Sequence, residues 1–206
     1  MDRARDHTAS PSAFAPGGSQ IDELLAGAPQ SILARLCEGD PLGLQSRCIE
    51  VIRERALLVS AERLITKSAA RVAFTAHRRP NARAFDSWLR AIIERSAEAL
   101  LDEDIEADAC EQEGDDDERY RFLGAALGVE MHVARRMCVV FHALPLLHRR
   151  AFHALILNSV PLEKAASELG LDAARLMRIL RETLVQLSTL GRTPRSTQPE
   201  EAFDDE

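Results

Sequence analysis

Apolar positions recur at helical spacing through most of the chain. From Ser60, a candidate N-cap, the small or apolar residues Ala61, Leu64, Ile65, Ser68, Ala69, Val72, Ala73 and Ala76 follow the i, i+3, i+4, i+7 rule. That spacing lines one face of a helix and predicts an amphipathic one. His77-Arg78-Arg79-Pro80-Asn81 breaks the pattern, and Phe85, Trp88, Leu89, Ile92, Ser96, Ala99 and Leu100 resume it on a second helix. Upstream, Gly39-Asp40-Pro41 reads as a stop followed by a start, with Asp40 as N-cap and Pro41 at the first helical position. Downstream, one long helix opens near Tyr120 and carries Phe122, Ala126, Val129, Val133, Met137, Val140 and Phe141. Pro145 interrupts, and a helix through Leu147, Ala151, Leu155 and Ile156 follows. Strand-forming residues are sparse and no strand pair stands out, so the expected fold is all-α.

The last pair of helices, 162–169 and 173–190, has the most detailed pattern. Leu162, Ala165, Ala166 and Leu169 share one face; Gly170 ends the helix, Leu171 plugs the corner and Asp172 caps the next. Leu176, Ile179, Leu180, Leu184 and Leu187 form the inward face of that second helix. A small residue, a glycine four positions later and an apolar residue after it are what two closely crossing helices need, so 161–187 reads as a helix-turn-helix. Arg175, Arg178 and Arg181 stripe the outward face of its second helix, and Lys164 adds charge on the first. Such a stripe suits phosphates and guanine edges in a major groove, with a solvated helix face as the alternative.

Charge changes the picture once its distribution is considered. The net charge is -7, yet residues 102–118 hold eleven acids and no base, and residues 199–206 hold five acids and no base. Without those segments the chain has 26 basic and 17 acidic residues, a net of +9. Segments able to bury apolar surface are therefore basic, and those expected to stay solvated are acidic. The opening MDRARDHTASPSAFAPGGS lacks the apolar stretch of a signal peptide, and no run approaches a membrane span. Cys37, Cys48, Cys110 and Cys138 form no C-x-x-C pair and have no zinc spacing with histidine; free thiols in a cytoplasmic protein are expected. His148 and His153 are five apart, off the spacing of a helical metal pair. No nucleophile, Gly-rich loop or carboxylate pair has a catalytic context, so neither an enzyme, a cofactor nor a small-molecule substrate is expected.

Leu144, Pro145, Arg149 and Phe152, followed by Glu163, Ala166, Leu169 and Gly170, resemble the C-terminal domain of bacterial sigma factors of the extracytoplasmic-function type. Leu33-Ala34-Arg35-Leu36 with Gly39-Asp40, and then Phe85, Trp88, Leu89 and Ile92, resemble the other half of that family. The resemblance implies two small helical domains joined by an acidic linker: an arm over 1–19, a first domain over 20–101, a linker over 102–118, a helix-turn-helix domain over 119–191 and an acidic tail over 192–206. It implies core RNA polymerase and promoter DNA as partners, with an anti-sigma factor as a further one. Lys164, Asp172, Arg175, Arg178 and Arg181 would meet the promoter, and Arg78, Arg79 and Arg83 would meet the upstream element and the melted strand. Arg63, Thr66 and Lys67 fall where the family docks on polymerase with the pattern D-x-x-Q-E, so its acidic positions are basic here. That departure keeps a second reading open, a degenerate sigma mimic that binds an anti-sigma factor or polymerase without recognising a promoter.

Overall fold

The computed structural model describes residues 18–109 and 118–192, and every regular element in them is helical. Most of the expected arm over 1–19, residues 110–117 of the expected linker, and the tail from 193 onward lie outside the described residues. The helices are α1 (Gly18–Leu24), α2 (Pro29–Cys37), α3 (Leu44–Arg55), α4 (Ala61–Thr75), α5 (Phe85–Ala109), α6 (Glu118–Leu127), α7 (Met131–Ala143), α8 (Leu146–Phe152), α9 (Leu162–Leu169) and α10 (Ala173–Arg192). A π-helical turn, His153–Leu157, continues α8, and 3-10 turns at Ala76–Arg78 and Ala82–Ala84 connect α4 to α5. No described helix is long and apolar enough to cross a membrane.

The local signals act where they were expected, with two differences. The Ser60 hydroxyl accepts the Arg63 N–H at 3.3 Å and starts α4. Asp40 also caps, but from further back: its carboxylate accepts the N–H groups of Leu44 and Gln45, the latter at 2.9 Å. Pro41 therefore lies in the turn before α3 rather than at its first position, and Gly43, at φ 62, makes the entry. The expected long helix from Tyr120 is two helices, α6 and α7. Gly128 at φ 64 ends α6, and the Val129 N–H bonds the Gly124 carbonyl at 3.0 Å. A Cβ on Gly124 would stand 2.9 Å from the Val129 carbonyl oxygen, so only glycine lets the chain double back this closely. The apolar period runs on in phase across the break, which is why periodicity alone did not show it.

The interior falls into three clusters. One gathers α1 to α5 around Leu64 and Val72 of α4 and Leu89 and Ile93 of α5, all fully buried. A second packs Phe141 of α7 on Phe152 of α8, ring centroids 5.2 Å apart, with Leu123, Leu180 and Leu187 around them. The third is small, built from Ala151, Ala165, Ala166, Leu176 and Ile179 where α8, α9 and α10 meet. Leu58, between α3 and α4, belongs to the second cluster and not to the first.

The acidic stretch departs from expectation. Residues 102–109 are not a linker but the last turns of α5. Asp104 is 5% exposed. Arg119 holds it with two guanidinium nitrogens at 2.8 and 3.2 Å, and Tyr120 Oη lies 3.4 Å away. Glu103 pairs with Arg63 at 3.1 Å and also with Lys67. One carboxylate of an acidic run can be buried when a base on another element answers it. Composition showed the acids but not the bases that folding would bring to them.

Candidate nucleic-acid interface

The end of α9 and the start of α10 follow from three adjacent residues. Gly170, at φ 66, takes the left-handed conformation that closes α9, and the Leu171 N–H then reaches the Ala166 carbonyl at 2.9 Å. Asp172 Oδ1 accepts the Arg175 N–H at 2.8 Å, so this carboxylate is the cap of α10. It supports the basic face rather than joining it. Ala165 and Ala166 are buried against Leu176 and Ile179, small residues that let the two helices approach closely. Thr183, buried on the inner face of α10, donates to the Ile179 carbonyl at 2.8 Å and meets His148 Nδ1 at 3.1 Å.

The side chains of Arg175, Arg178 and Arg181 are all exposed. No described carboxylate lies within ion-pair distance of any of them, although Glu182 sits exposed beside Arg181. Lys164, also exposed, is loosely answered by Glu168 at 3.9 Å, one turn along α9. Three exposed cations rising along one helix without a partner form an electropositive ridge, which a row of phosphates would neutralise. Met177, 40% exposed, and Val185, 57% exposed, stand beside the ridge.

The other basic residues are placed differently. Arg79 is tied to Asp22 of α1 by two nitrogens at 2.6 and 3.1 Å, and Arg78 Nε donates to His77 at 3.1 Å. Arg83 is exposed in the second 3-10 turn. Phe74, 67% exposed in the last turn of α4, adjoins this loop and was not among the residues singled out from the sequence. The signal was available: Phe74 is a bulky aromatic off the apolar face that carries Val72, Ala73 and Ala76. Thr66 is exposed, whereas Arg63 and Lys67 are engaged by Glu103, with Asp104 3.8 Å from Arg63. Arg63 and Lys67 thus answer the acidic end of α5 within the same molecule.

A set of polar contacts fastens residues 54–58 to α6, α7, α8 and the π-helical turn. The Leu58 N–H donates to His142 Nε2 at 2.9 Å, Arg119 donates to the Leu58 carbonyl at 2.9 Å, and His153 Nε2 lies 3.0 Å from the Leu57 carbonyl. Arg150 reaches the Glu54 carbonyl with two nitrogens at 2.9 and 3.1 Å. His142 must be neutral to accept from Leu58. Burial, then the nearby Arg149 charge, holds its pKa down at about 4, and burial also lowers that of His153. Cys37 and Cys48 are free thiols; burial pushes that of Cys48 up to about 11, so it is inert. Among the described residues no group of His, Cys, Asp and Glu could hold a metal ion. Comparisons with protein-family models, with curated proteins and with solved structures found no match.

Proposed function

We propose that this chain is a sigma-factor-like transcription initiation protein of the cytoplasm. In this reading α1 to α5 form the unit that docks on core RNA polymerase. The helix-turn-helix of α9 and α10 reads promoter DNA, with an anti-sigma factor as a further partner. The observation that carries the reading is the ridge of Arg175, Arg178 and Arg181, exposed and unanswered by described acids, on the second helix of a pair closed by Gly170 and Asp172. A helix in this position is the usual reader of a major groove, and its cations supply the phosphate contacts. One observation favours the second reading, a sigma mimic without promoter recognition: Arg63 and Lys67 are consumed by Glu103 on α5, which leaves little free charge where the family docks.

The test is a salt titration of DNA binding with the full chain. The full chain is required because Leu58, outside α6 to α10, is part of their core. If the ridge contacts phosphates, replacing Arg175, Arg178 and Arg181 together by alanine weakens binding to all sequences. It also flattens the dependence on salt by roughly one charge per arginine. Fold stability should move by less than about 0.5 kcal/mol per substitution, since all three are exposed. Equal slopes and equal affinities would remove DNA from the account and leave the mimic.

A further inference from the structure

The end of α3 and the middle of α8 lie side by side. Arg150 makes the junction, donating two guanidinium N–H groups to the Glu54 carbonyl at 2.9 and 3.1 Å. That bond answers the negative end of α3, whose last carbonyls have no helical donor. Arg55, the next residue, turns its guanidinium to α5, with Glu94 at 3.1 Å and Glu98 at 3.7 Å. Arg90 of α5 holds Glu54 and Glu94 as well. Glu54, Glu94 and Glu98 are thus each engaged by an arginine other than Arg149.

Arg149 is half-buried, and among the described residues its guanidinium meets no carboxylate and no other acceptor. Its Nε is closed off from solvent, so the outer pair of nitrogens is the accessible end. Burial, then the charges of Arg55 and Arg150, pull its pKa below the ordinary arginine value. It stays a cation, because that value is above about 12. His142 and His153, both lowered in part by the Arg149 charge, are neutral and bring no negative charge to it. The ridge arginines of α10 are answered by water; Arg149 is only partly so. A desolvated cation with like charges beside it and no counter-charge costs stability. An anion from outside the chain would remove that cost.

We infer that Arg149, flanked by Arg55 and Arg150, is a binding site for one phosphate group, free or carried on a small molecule, where α8 meets the end of α3. Two phosphate oxygens match the fork of the outer Arg149 nitrogens. Arg150 uses Nε and one Nη on Glu54 and keeps the other, and Arg55 adds charge from α3. Cations converging from two helices suit a tetrahedral group, which has oxygens to spare once the fork is filled. A carboxylate has only the two. The site is independent of the promoter reading, because α8 carries no residue of the ridge.

Urea unfolding of the full chain in inorganic phosphate, against chloride of equal ionic strength, tests the site. The native chain is compared with Arg149→Met, with Arg149→Lys, and with Arg175, Arg178 and Arg181 together replaced by alanine. Phosphate also stabilises folded proteins as an excluded salt, but that effect is common to all four chains, so the differences between them are what is read. For a Kd of about 1 mM, about 10 mM phosphate raises the folding equilibrium constant of the native chain about ten-fold. The ridge variant should keep that gain and Arg149→Met should lose it. Arg149→Lys, with the charge but not the fork, should lose most of it. In chloride, Arg149→Met should be at least as stable as the native chain, because an unpaired cation has been removed. A Met variant that is less stable in chloride would make Arg149 a structural residue and overturn the site. So would equal phosphate gains in the native and Met chains, or a gain lost only in the ridge variant. DNA binding in phosphate-free buffer separates a free phosphate from the DNA backbone: Arg149→Met should leave it unchanged. A loss as large as that from a ridge arginine, with no phosphate gain in stability, would assign Arg149 to DNA and overturn the inference.

Discussion

His142 accepts the Leu58 N–H through Nε2, and its other ring nitrogen bonds the Cys138 carbonyl. A second proton on the ring would turn the acceptor into a donor facing an N–H. The unfolded chain takes up that proton near 6.5 and the folded chain only near 4. Acidification through that window therefore favours unfolding. The stability from this group is complete above about pH 6.5, falls by up to about 3 kcal/mol toward pH 4, and changes no further below it. His153, also lowered by burial, adds to the loss in the same direction. Urea unfolding at pH 7 and pH 5 should differ by about 2 kcal/mol. His142→Gln, which has no titrating ring, should remove most of that difference. An unchanged pH dependence in the variant would place the sensitivity elsewhere. Spacing along the sequence said only that His148 and His153 do not form a helical metal pair; the Leu58 N–H that His142 accepts and the Leu57 carbonyl beside His153 lie 84 and 96 positions away.

Between α9 and α10 the chain is governed locally, and there the sequence is most legible. The expected helices 162–169 and 173–190 coincide with α9 and, within two residues, with α10. Gly170 and Asp172 are sufficient reason: one takes a left-handed conformation at little cost, the other accepts an N–H that α10 cannot satisfy itself. Gly170→Ala should cost about 1 kcal/mol, the strain of a Cβ in that conformation. Asp172→Ala should cost about the same through the lost cap, and Asp172→Asn clearly less, because the amide oxygen still accepts. Urea unfolding of the three variants measures this, and equal losses for Asn and Ala would mean that charge at the N-terminus of α10, not the cap bond, is what matters. The same local logic failed at Gly128 and in residues 102–109. In the first, two helices share one phase. In the second, helix stability depends on Arg63, Lys67 and Arg119, none of which is a sequence neighbour.

Across the whole molecule, Leu58 and Asp104 join what the sequence divided into two domains and a linker. Leu58 completes the core of α6 to α10, and Asp104, nearly buried, answers Arg119, whose side chain is 12% exposed. Asp104→Ala leaves that guanidinium buried without its acid and should cost about 3 kcal/mol or more. Trp88 packs against the first core and Tyr120 lies in the second. As the chain has one of each, their fluorescence reports the two regions separately. Both signals should follow one unfolding transition in the native chain, and Asp104→Ala should move both. A shift in the Tyr120 signal alone would show that the two regions unfold independently. Replacing the pair by Asp104→Leu and Arg119→Met together should recover much of the loss, since two well-packed apolar side chains have no desolvation to offset.

By itself the sequence determined the helical class, the bounds of α4, α9 and α10, the turn at Gly170 and the outward stripe of arginines. Each depends on periodicity, a capping side chain or a glycine within one or two turns, and such interactions are encoded by near neighbours. Only the tertiary structure decided that Glu103 and Asp104 are paired rather than solvated, that Arg63 and Lys67 are spent inside the molecule, that Phe74 is exposed, and that an apolar groove opens beside Arg181. A charge has no fixed meaning until folding sets its partner and its distance from water. Those two quantities depend on residues far apart in the chain.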